Sequence, residues 1–584
     1  MRSIYFFKTT IIFALCSFSA LCLKGQNETD TTMRVVVFGD GITAGMQSGK
    51  GTAKNYGMFL KQLLNDEGID AEVLNKGKEN DQTLNATQRM QLDVVTQRPD
   101  VVTIMFGTFD AMVDPGKIQA RVPLNIFQGQ LSQMITYLKQ INVVPILMTT
   151  PPMGDIEAME REPYASAGAN FLLEPYMEAC RQLAEQERIP LVDHYGHWQQ
   201  LAAEGQDIDQ WLIDGYMPNE EGHRIMAEQI LPVVKNELSP SMTDVFVSGE
   251  EGYDTYRIPA LITTQNGFLL AFCEGRSSRS DHAKNDLVLK RSFDKGKTWS
   301  ELKVIAEDGD NSLNNPQAVV VSETGRIILM YQHYPQGFGE KEVLPGVKGN
   351  TVCKTFMIYS DDDGSTWSEP EDITKDVKRP KEVTSIASGP GRGIELTQGK
   401  KKGRLIMPFN QGPYGEWKVY AVYSDNQGKS WKYGDIAPAG TAGMANEVQM
   451  VELRDGTLML NARSMEGNNH RLIAYSKDDG ETWSALVEDT TLIEPQCQAS
   501  IYRFNPYYTL FSNPASQTER KNGTIRLSVD NGKTWQYSKT LYKGSFAYSC
   551  LTGINDLYAG VLFERDDYSK ITFSRFPIKW LLTD

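Results

Sequence analysis

Residues 35–45 read VVVFGDGITAG, an apolar run that ends in a glycine turn. Such a pattern is a buried strand delivering a loop to a surface, a place where a side chain can meet a substrate. Gly41, within that turn, has no side chain, so it brings no nucleophile. Carboxylates recur further on, in SFDKGKTW (292–299), SDDDGSTW (360–367), SDNQGKSW (424–431), SKDDGETW (476–483) and SVDNGKTW (528–535). In S-x-D/N-x-G-x-T/S-W the Asp suits backbone N–H groups, the Gly a positive φ, and the Trp packing between strands. These acids are turn-builders rather than catalysts. Asn426 replaces Asp in the third copy but keeps the carbonyl that accepts N–H bonds. Cys180, Cys273, Cys353, Cys497 and Cys550 are scattered and lack paired spacing, so neither a disulfide framework nor a zinc site is expected. They read as small buried apolar residues, and no metal or other cofactor is expected.

The elements that carry these residues fall into two grammars. Across 33–238, the apolar runs VVVFGD, DVVTIMFG and VVPILMTT read as buried parallel strands. They alternate with amphipathic stretches such as MFLKQLLNDEG, LSQMITYLKQI and PYMEACRQLAEQE, which predicts an α/β sandwich. After a short joint around ELSPSMTD the chain turns to short strands and Gly-rich turns. The five repeats there are spaced by 68, 64, 52 and 52 residues, about one four-stranded propeller blade each. The remaining length holds roughly six such blades.

At 584 residues the chain is too long for one ordinary core. A net charge of −15 argues against nucleic acid or anionic membrane as the main partner. The start, MRSIYFFKTTIIFALCSFSALCLKGQ, reads as a signal peptide over 1–25, implying a secreted or periplasmic protein. Cys16 and Cys22 raise a lipid-anchored alternative, though the leucines before them make a poor lipobox. No other segment is long and apolar enough to cross a membrane as a helix.

Over 243–584 the chain resembles the sialidase (neuraminidase) family, whose Asp boxes the five repeats match. YRIPAL (256–261) is similar to that family's Arg-Ile-Pro motif, and AFCEGRSSRSDHAKNDLVLKRS matches its next segment. The resemblance implies a six-bladed β-propeller and an exo-α-sialidase acting on sialylated glycans with retention through a tyrosyl intermediate. By the same resemblance Arg257, Arg463 and Arg520 hold the sugar carboxylate, Arg276 lines the pocket and Glu564 orients Arg257. Asp281 is implied as acid/base, Tyr548 as nucleophile and Glu447 as its base. Asp286 competes for the acid role, but it leads into the strand DLVLKRS, whereas Asp281 lies in a Ser-rich loop. The chemistry of the set is coherent. Guanidinium forks suit a planar carboxylate. A neutral tyrosine escapes the repulsion that carboxylate imposes on an anionic nucleophile, provided a neighbouring base takes its proton. Sialidases are accordingly the tyrosine exception among retaining glycosidases. The alternative from another class is a non-catalytic sialic-acid-binding propeller, against which the filled Tyr/Glu/Asp set argues.

Residues 26–238 resemble the SGNH/GDSL hydrolases, implying a flavodoxin-like three-layer domain. In that alignment Gly41 takes the place of the nucleophilic serine, Phe109 that of an asparagine and Met217 that of the catalytic histidine. Only a distorted version of the second block's glycine remains in NKGKENDQT (75–83), while Asp214 and His223 are kept. An acyl-transfer site needs a nucleophile, a base and oxyanion donors, and one of each is missing. The expectation is a retained fold without esterase activity, serving to bind or space. The alternative is an esterase with a displaced nucleophile, acting on O-acetyl groups of sialic acid.

Overall fold

The computed structural model describes residues 32–47, 50–154, 162–168 and 170–583. The expected leader, with Cys16 and Cys22, lies outside the described residues. Strands β1 (Met33–Gly39), β2 (Ala71–Gly77), β3 (Val101–Met105), β4 (Val144–Thr149) and β5 (Leu191–Asp193) form one parallel sheet in the order β2-β1-β3-β4-β5. That is the flavodoxin-like order, with its switch point at the C-terminal ends of β1 and β3. The longer helices are α1 (Tyr56–Asp66), α2 (Thr83–Asp93), α3 (Leu124–Gln140), α4 (Glu174–Glu187), α5 (His194–Ala203) and α6 (Glu220–Leu238).

Strand residues alternate between the two faces, as a two-residue period requires. Val35, Val37, Val101 and Met105 pack with α1, α5 and α6. Val36, Phe38, Val102 and Ile104 pack with α2, α3 and α4. Three layers result, and near-continuous apolar runs are what a sheet covered on both faces demands.

Beyond α6 the chain is mostly antiparallel strand. Its first strand, β6 (Ser241–Val247), starts two residues before the expected boundary at 243. The strands that matter for the site are β7 (Thr255–Thr263), β8 (Leu269–Arg276), β9 (Asn285–Ser292), β10 (Ser312–Val320) and β11 (Ile327–Tyr334). They are followed by β12 (Ala445–Glu452), β13 (Leu458–Ser464), β14 (Tyr537–Gly553), β15 (Tyr558–Arg565) and β16 (Lys570–Pro577). The last of these pairs antiparallel with β6, so the two ends of this part meet in one sheet.

The five repeats share one hydrogen-bonded turn. In the first, Asp294 Oδ1 accepts from Thr298 N at 2.9 Å, and Ser292 Oγ accepts from Gly296 N at 2.8 Å. Gly296 has φ 87, a conformation that excludes a Cβ at low cost. Asn426 keeps the pattern, accepting from Ser430 N at 3.0 Å through its carbonyl. Each repeat's tryptophan packs in or against a different apolar cluster. The five cysteines named above are all buried and free.

The two parts are joined by a buried polar contact. Glu237 at the end of α6 pairs with Arg575 of β16 at 3.1 Å and lies 3.0 Å from Tyr558 Oη. Trp580, in the short helix α7 (Ile578–Leu582), packs against the N-terminal core, and Lys579 pairs with Asp100 at 2.8 Å.

Candidate functional site

Four strands carry a β-bulge where the chemistry gathers. In β7, Ile258 and Pro259 oppose the single residue Cys273 of β8. In β10, Asn315 and Pro316 oppose Tyr331 of β11. In β12, Glu447 is the extra residue between Asn446 and Val448, and in β14, Ala547 and Tyr548 oppose Glu564 of β15. Ile258, Asn315 and Glu447 take φ of 63, 53 and 42 at these points. A bulge breaks the in–out alternation and re-aims a side chain, so one device repeated on four strands turns residues towards a common centre.

The cavity at that centre is about 350 Å³ and is lined by Arg257, Arg276, Asp281, Glu447, Arg463, Arg520 and Tyr548, seven of the eight residues predicted from sequence. The eighth, Glu564, is fully buried behind it. Its Oε1 accepts from Arg257 Nε at 2.7 Å and from Ile258 N at 2.8 Å, while Oε2 accepts from Tyr548 N at 3.2 Å. One carboxylate thus fixes an arginine and the backbone of two bulges.

Tyr548 Oη donates to Glu447 Oε1, and Glu447 Oε2 accepts from Arg463 Nη1 at 2.7 Å. Burial pushes the Tyr548 phenol well up, the Glu447 charge adds to this, and Arg463 and Arg520 offset only part. Burial raises Glu447 too, but the Arg463 charge and the hydrogen bond from Tyr548 bring it below the ordinary carboxylate range. The proton therefore rests on the tyrosine and the charge on the glutamate, as a general base beside a neutral nucleophile requires. The guanidinium carbons of Arg257 and Arg520 lie 5.5 and 5.6 Å from the Tyr548 ring centre.

Asp281 stands at the rim, its side chain 72% exposed, and accepts from Arg276 Nη1 at 2.8 Å. Partial burial raises its carboxyl, but Arg276, Arg257 and His282 hold it below the usual range. It is a carboxylate in the open cavity. Asp286, its competitor, accepts from Tyr253 Oη at 2.8 Å on β9 and does not line the cavity.

Some residues here were not singled out from sequence. Glu274, fully buried, accepts from Arg276 Nε at 2.7 Å and from Asn315 N at 2.7 Å. The two-residue period of β8 puts Glu274 and Arg276 on one side, a signal present in AFCEGR. Asn314 and Asn315 precede a proline as Arg257 and Ile258 do, which could have marked the second bulge. Glu340 and Trp417 also line the cavity, joined by a 2.6 Å bond from Trp417 Nε1. Among the described residues no cluster of His, Cys, Asp or Glu is arranged to hold a metal ion.

In the N-terminal part the hydrolase positions are packed shut. Gly41 opens a short helix, Gly41–Ala44, capped by the buried Asp40, whose carboxylate accepts from Ile42 N at 2.9 Å. Phe109 and Met217 are 1% and 2% exposed and belong to one apolar cluster. Asp214 accepts from Met217 N at 3.2 Å. His223 is buried, and burial holds its imidazole down to about 3.

Comparison with known proteins fits this division. The BNR repeat-like domain family matches residues 267–561, half of the chain, and the GDSL-like Lipase/Acylhydrolase family matches residues 37–225. A sialidase of Micromonospora viridifaciens is 34% identical over 354 residues, which cover 58% of this chain and 54% of the relative. A sialidase of Bacteroides fragilis is 30% identical over 366 residues, covering 57% and 64%. The chain thus spans between half and two thirds of the length of these two relatives. Among solved structures, the Hadza microbial sialidase Hz136 superposes with a TM-score of 0.54 at 32% identity, covering 58% of this chain and 69% of that one. The chain belongs to the BNR repeat-like domain family, with sialidases among its relatives and a GDSL-like region ahead of the matched repeats.

Proposed function

We propose that the chain is an exo-α-sialidase that releases terminal sialic acids from glycoconjugates with retention of configuration. The observation that carries this is Tyr548 donating to Glu447 in a cavity lined by Arg257, Arg463 and Arg520. The arginines bind the carboxylate on the anomeric carbon. Tyr548 Oη attacks that carbon as its proton passes to Glu447. The glycosidic C–O bond breaks, and the departing oxygen takes a proton from Asp281. Asp281 gains that proton when the bound sugar covers the rim, because desolvation disfavours its charged form. As a carboxylate again it takes a proton from water, whose oxygen attacks the anomeric carbon. The tyrosyl bond then breaks and Glu447 returns the proton to Tyr548.

In this reading the antiparallel sheets of 243–584 form six blades of a propeller whose innermost strands carry the bulges. Residues 26–238 are a non-catalytic presenting domain, since Met217 and Phe109 sit where a base and an oxyanion donor belong. The leader at 1–25 exports the protein to where sialylated glycans occur. The test is release of free sialic acid from linkage-defined sialosides, with the anomer followed by NMR. First appearance of the α anomer supports the reading, and first appearance of the β anomer or no release contradicts it.

A further inference from the structure

Resting on that reading, we propose that Tyr568 is a positioning residue that sets Arg520 and Arg257 for the substrate carboxylate. The three arginines are held differently. Arg257 is paired with Glu564 and Arg463 with Glu447, both through carboxylates at 2.7 Å. Arg520 forms no such ion pair among the described residues. Its Nη1 donates to Tyr568 Oη at 3.0 Å and its Nη2 to the Gln496 carbonyl at 3.1 Å. The same Tyr568 ring lies under Arg257, with the guanidinium carbon 4.1 Å from its centre. One side chain therefore touches two arginines that are far apart in sequence.

An uncharged hydroxyl is a distinct kind of anchor. It fixes the direction of the guanidinium fork without neutralising it, so Arg520 keeps its full charge for an incoming anion. A carboxylate in that place would compete with the ligand. The backbone that carries Tyr568 supports a built role. Asp566, Asp567 and Tyr568 follow one another at φ of 50, 52 and 68. Successive non-glycine residues in the left-handed region persist only where their surroundings over-determine them. Here each is tied down. Asp566 takes bonds from Arg565 and Tyr542, and Asp567 N donates to Ser545 Oγ at 3.1 Å. The Tyr568 carbonyl accepts from Ser248 Oγ at 3.0 Å and from Thr255 Oγ1 at 3.4 Å.

The test is calorimetric titration of the full chain with 2,3-didehydro-2-deoxy-sialic acid and, separately, with its methyl ester, which lacks the anionic group. Tyr568→Phe keeps the ring under Arg257 and removes the acceptor of Arg520, and should bind the acid roughly 5-fold more weakly. Tyr568→Ala removes both contacts and should lose roughly 30-fold or more. Both variants should bind the ester within about twofold of the wild type, because the arginine fork matters to the charge. Equal loss of acid and ester would mean a general distortion of the pocket and would overturn the inference. So would a Phe variant that binds the acid as the wild type does. A wild-type protein that binds neither compound would instead overturn the sialidase reading on which the inference rests.

Discussion

Tyr548 and Glu447, 101 residues apart in sequence, share one hydrogen bond in the lining of the cavity, and Arg463 holds the far oxygen of the same carboxylate. Both partners sit on bulges, so their meeting depends on two local breaks in strand register. The proton order within the pair, phenol up and carboxyl down, follows from burial acting on both: Arg463 and Arg520 offset it only in part at the phenol, whereas Arg463 and the hydrogen bond from Tyr548 outweigh it at the carboxyl.

That order has a consequence for pH dependence. Glu447 must be ionised to act as base, and Arg463 helps keep it so. Replacing Arg463 by Gln should raise the carboxyl, because burial is then less opposed, and move the acid limb of kcat/KM to higher pH by about one unit or more. The pH profile of the variant beside the wild type measures this. An acid limb that stays in place would remove Glu447 from the base role.

The arginines should not tolerate lysine. Arg257 spends Nε on Glu564 and keeps its terminal nitrogens for the cavity, a division a single ammonium cannot reproduce. Losing a charge-assisted bond costs about 1.5–3 kcal/mol, or roughly 10- to 150-fold in kcat/KM. Arg257→Lys and Arg520→Lys should each fall in that range on a fluorogenic sialoside. Near wild-type kinetics in either variant would exclude that arginine from carboxylate binding.

Much of this site was legible because short motifs carried it. YRIPAL carries Arg257 and AFCEGRSSRSDHAKNDLVLKRS carries Arg276 and Asp281, all three in the cavity lining, while Glu447 lies in NEVQMVEL (446–453), Arg463 in LNARS (460–464) and the buried Glu564 in VLFER (561–565). The bulges were not legible as such. Two-residue alternation hides an inserted residue, and a left-handed φ at Ile258, Asn315 or Glu447 has no glycine to announce it. Glu274 and Tyr568 escaped for a related reason, since each acts through an arginine instead of facing the cavity itself. In the N-terminal part the apolar runs gave the sheet, but strand order emerges only from the β2-β1-β3-β4-β5 pairing. The ion pair between Glu237 and Arg575 was equally hidden, because nothing local marks which buried charge will find which partner.

That ion pair should make the two parts interdependent in stability, while the proposed chemistry rests on one of them. All eight predicted site residues lie beyond residue 256, so a chain starting at Ser241 should keep activity per folded molecule. It exposes Arg575, Tyr558 and Trp580, however, and should unfold at lower temperature than the full chain. In the full chain, Glu237→Ala leaves Arg575 buried without its partner, a change worth about 3–5 kcal/mol. Calorimetric melting of both proteins, with activity measured on the soluble fraction, tests the division. A folded but inactive truncated chain would mean that the N-terminal part completes the site.

The N-terminal part should resist conversion to an esterase. Gly41→Ser supplies a hydroxyl but no base, and should hydrolyse p-nitrophenyl acetate no faster than the wild type. Adding Met217→His places an imidazole among Trp198, Trp211 and Phe109, where burial favours its neutral form. Turnover should stay feeble, since Phe109 supplies no oxyanion donor and one such donor is worth about 2.7–4 kcal/mol. Each variant is assayed in a Tyr548→Phe background. Serine-dependent activity already present in the wild-type domain, lost on fluorophosphonate treatment, would reveal a displaced nucleophile.

In the proposed mechanism Tyr548 forms a covalent bond with the anomeric carbon. Incubation with a fluorinated sialosyl fluoride, followed by proteolysis and peptide mass spectrometry, tests it directly. A fluorosialosyl adduct on Tyr548, slowed strongly in Glu447→Gln and absent in Tyr548→Phe, is the predicted result. An adduct on another residue, or turnover without any adduct, would contradict the mechanism.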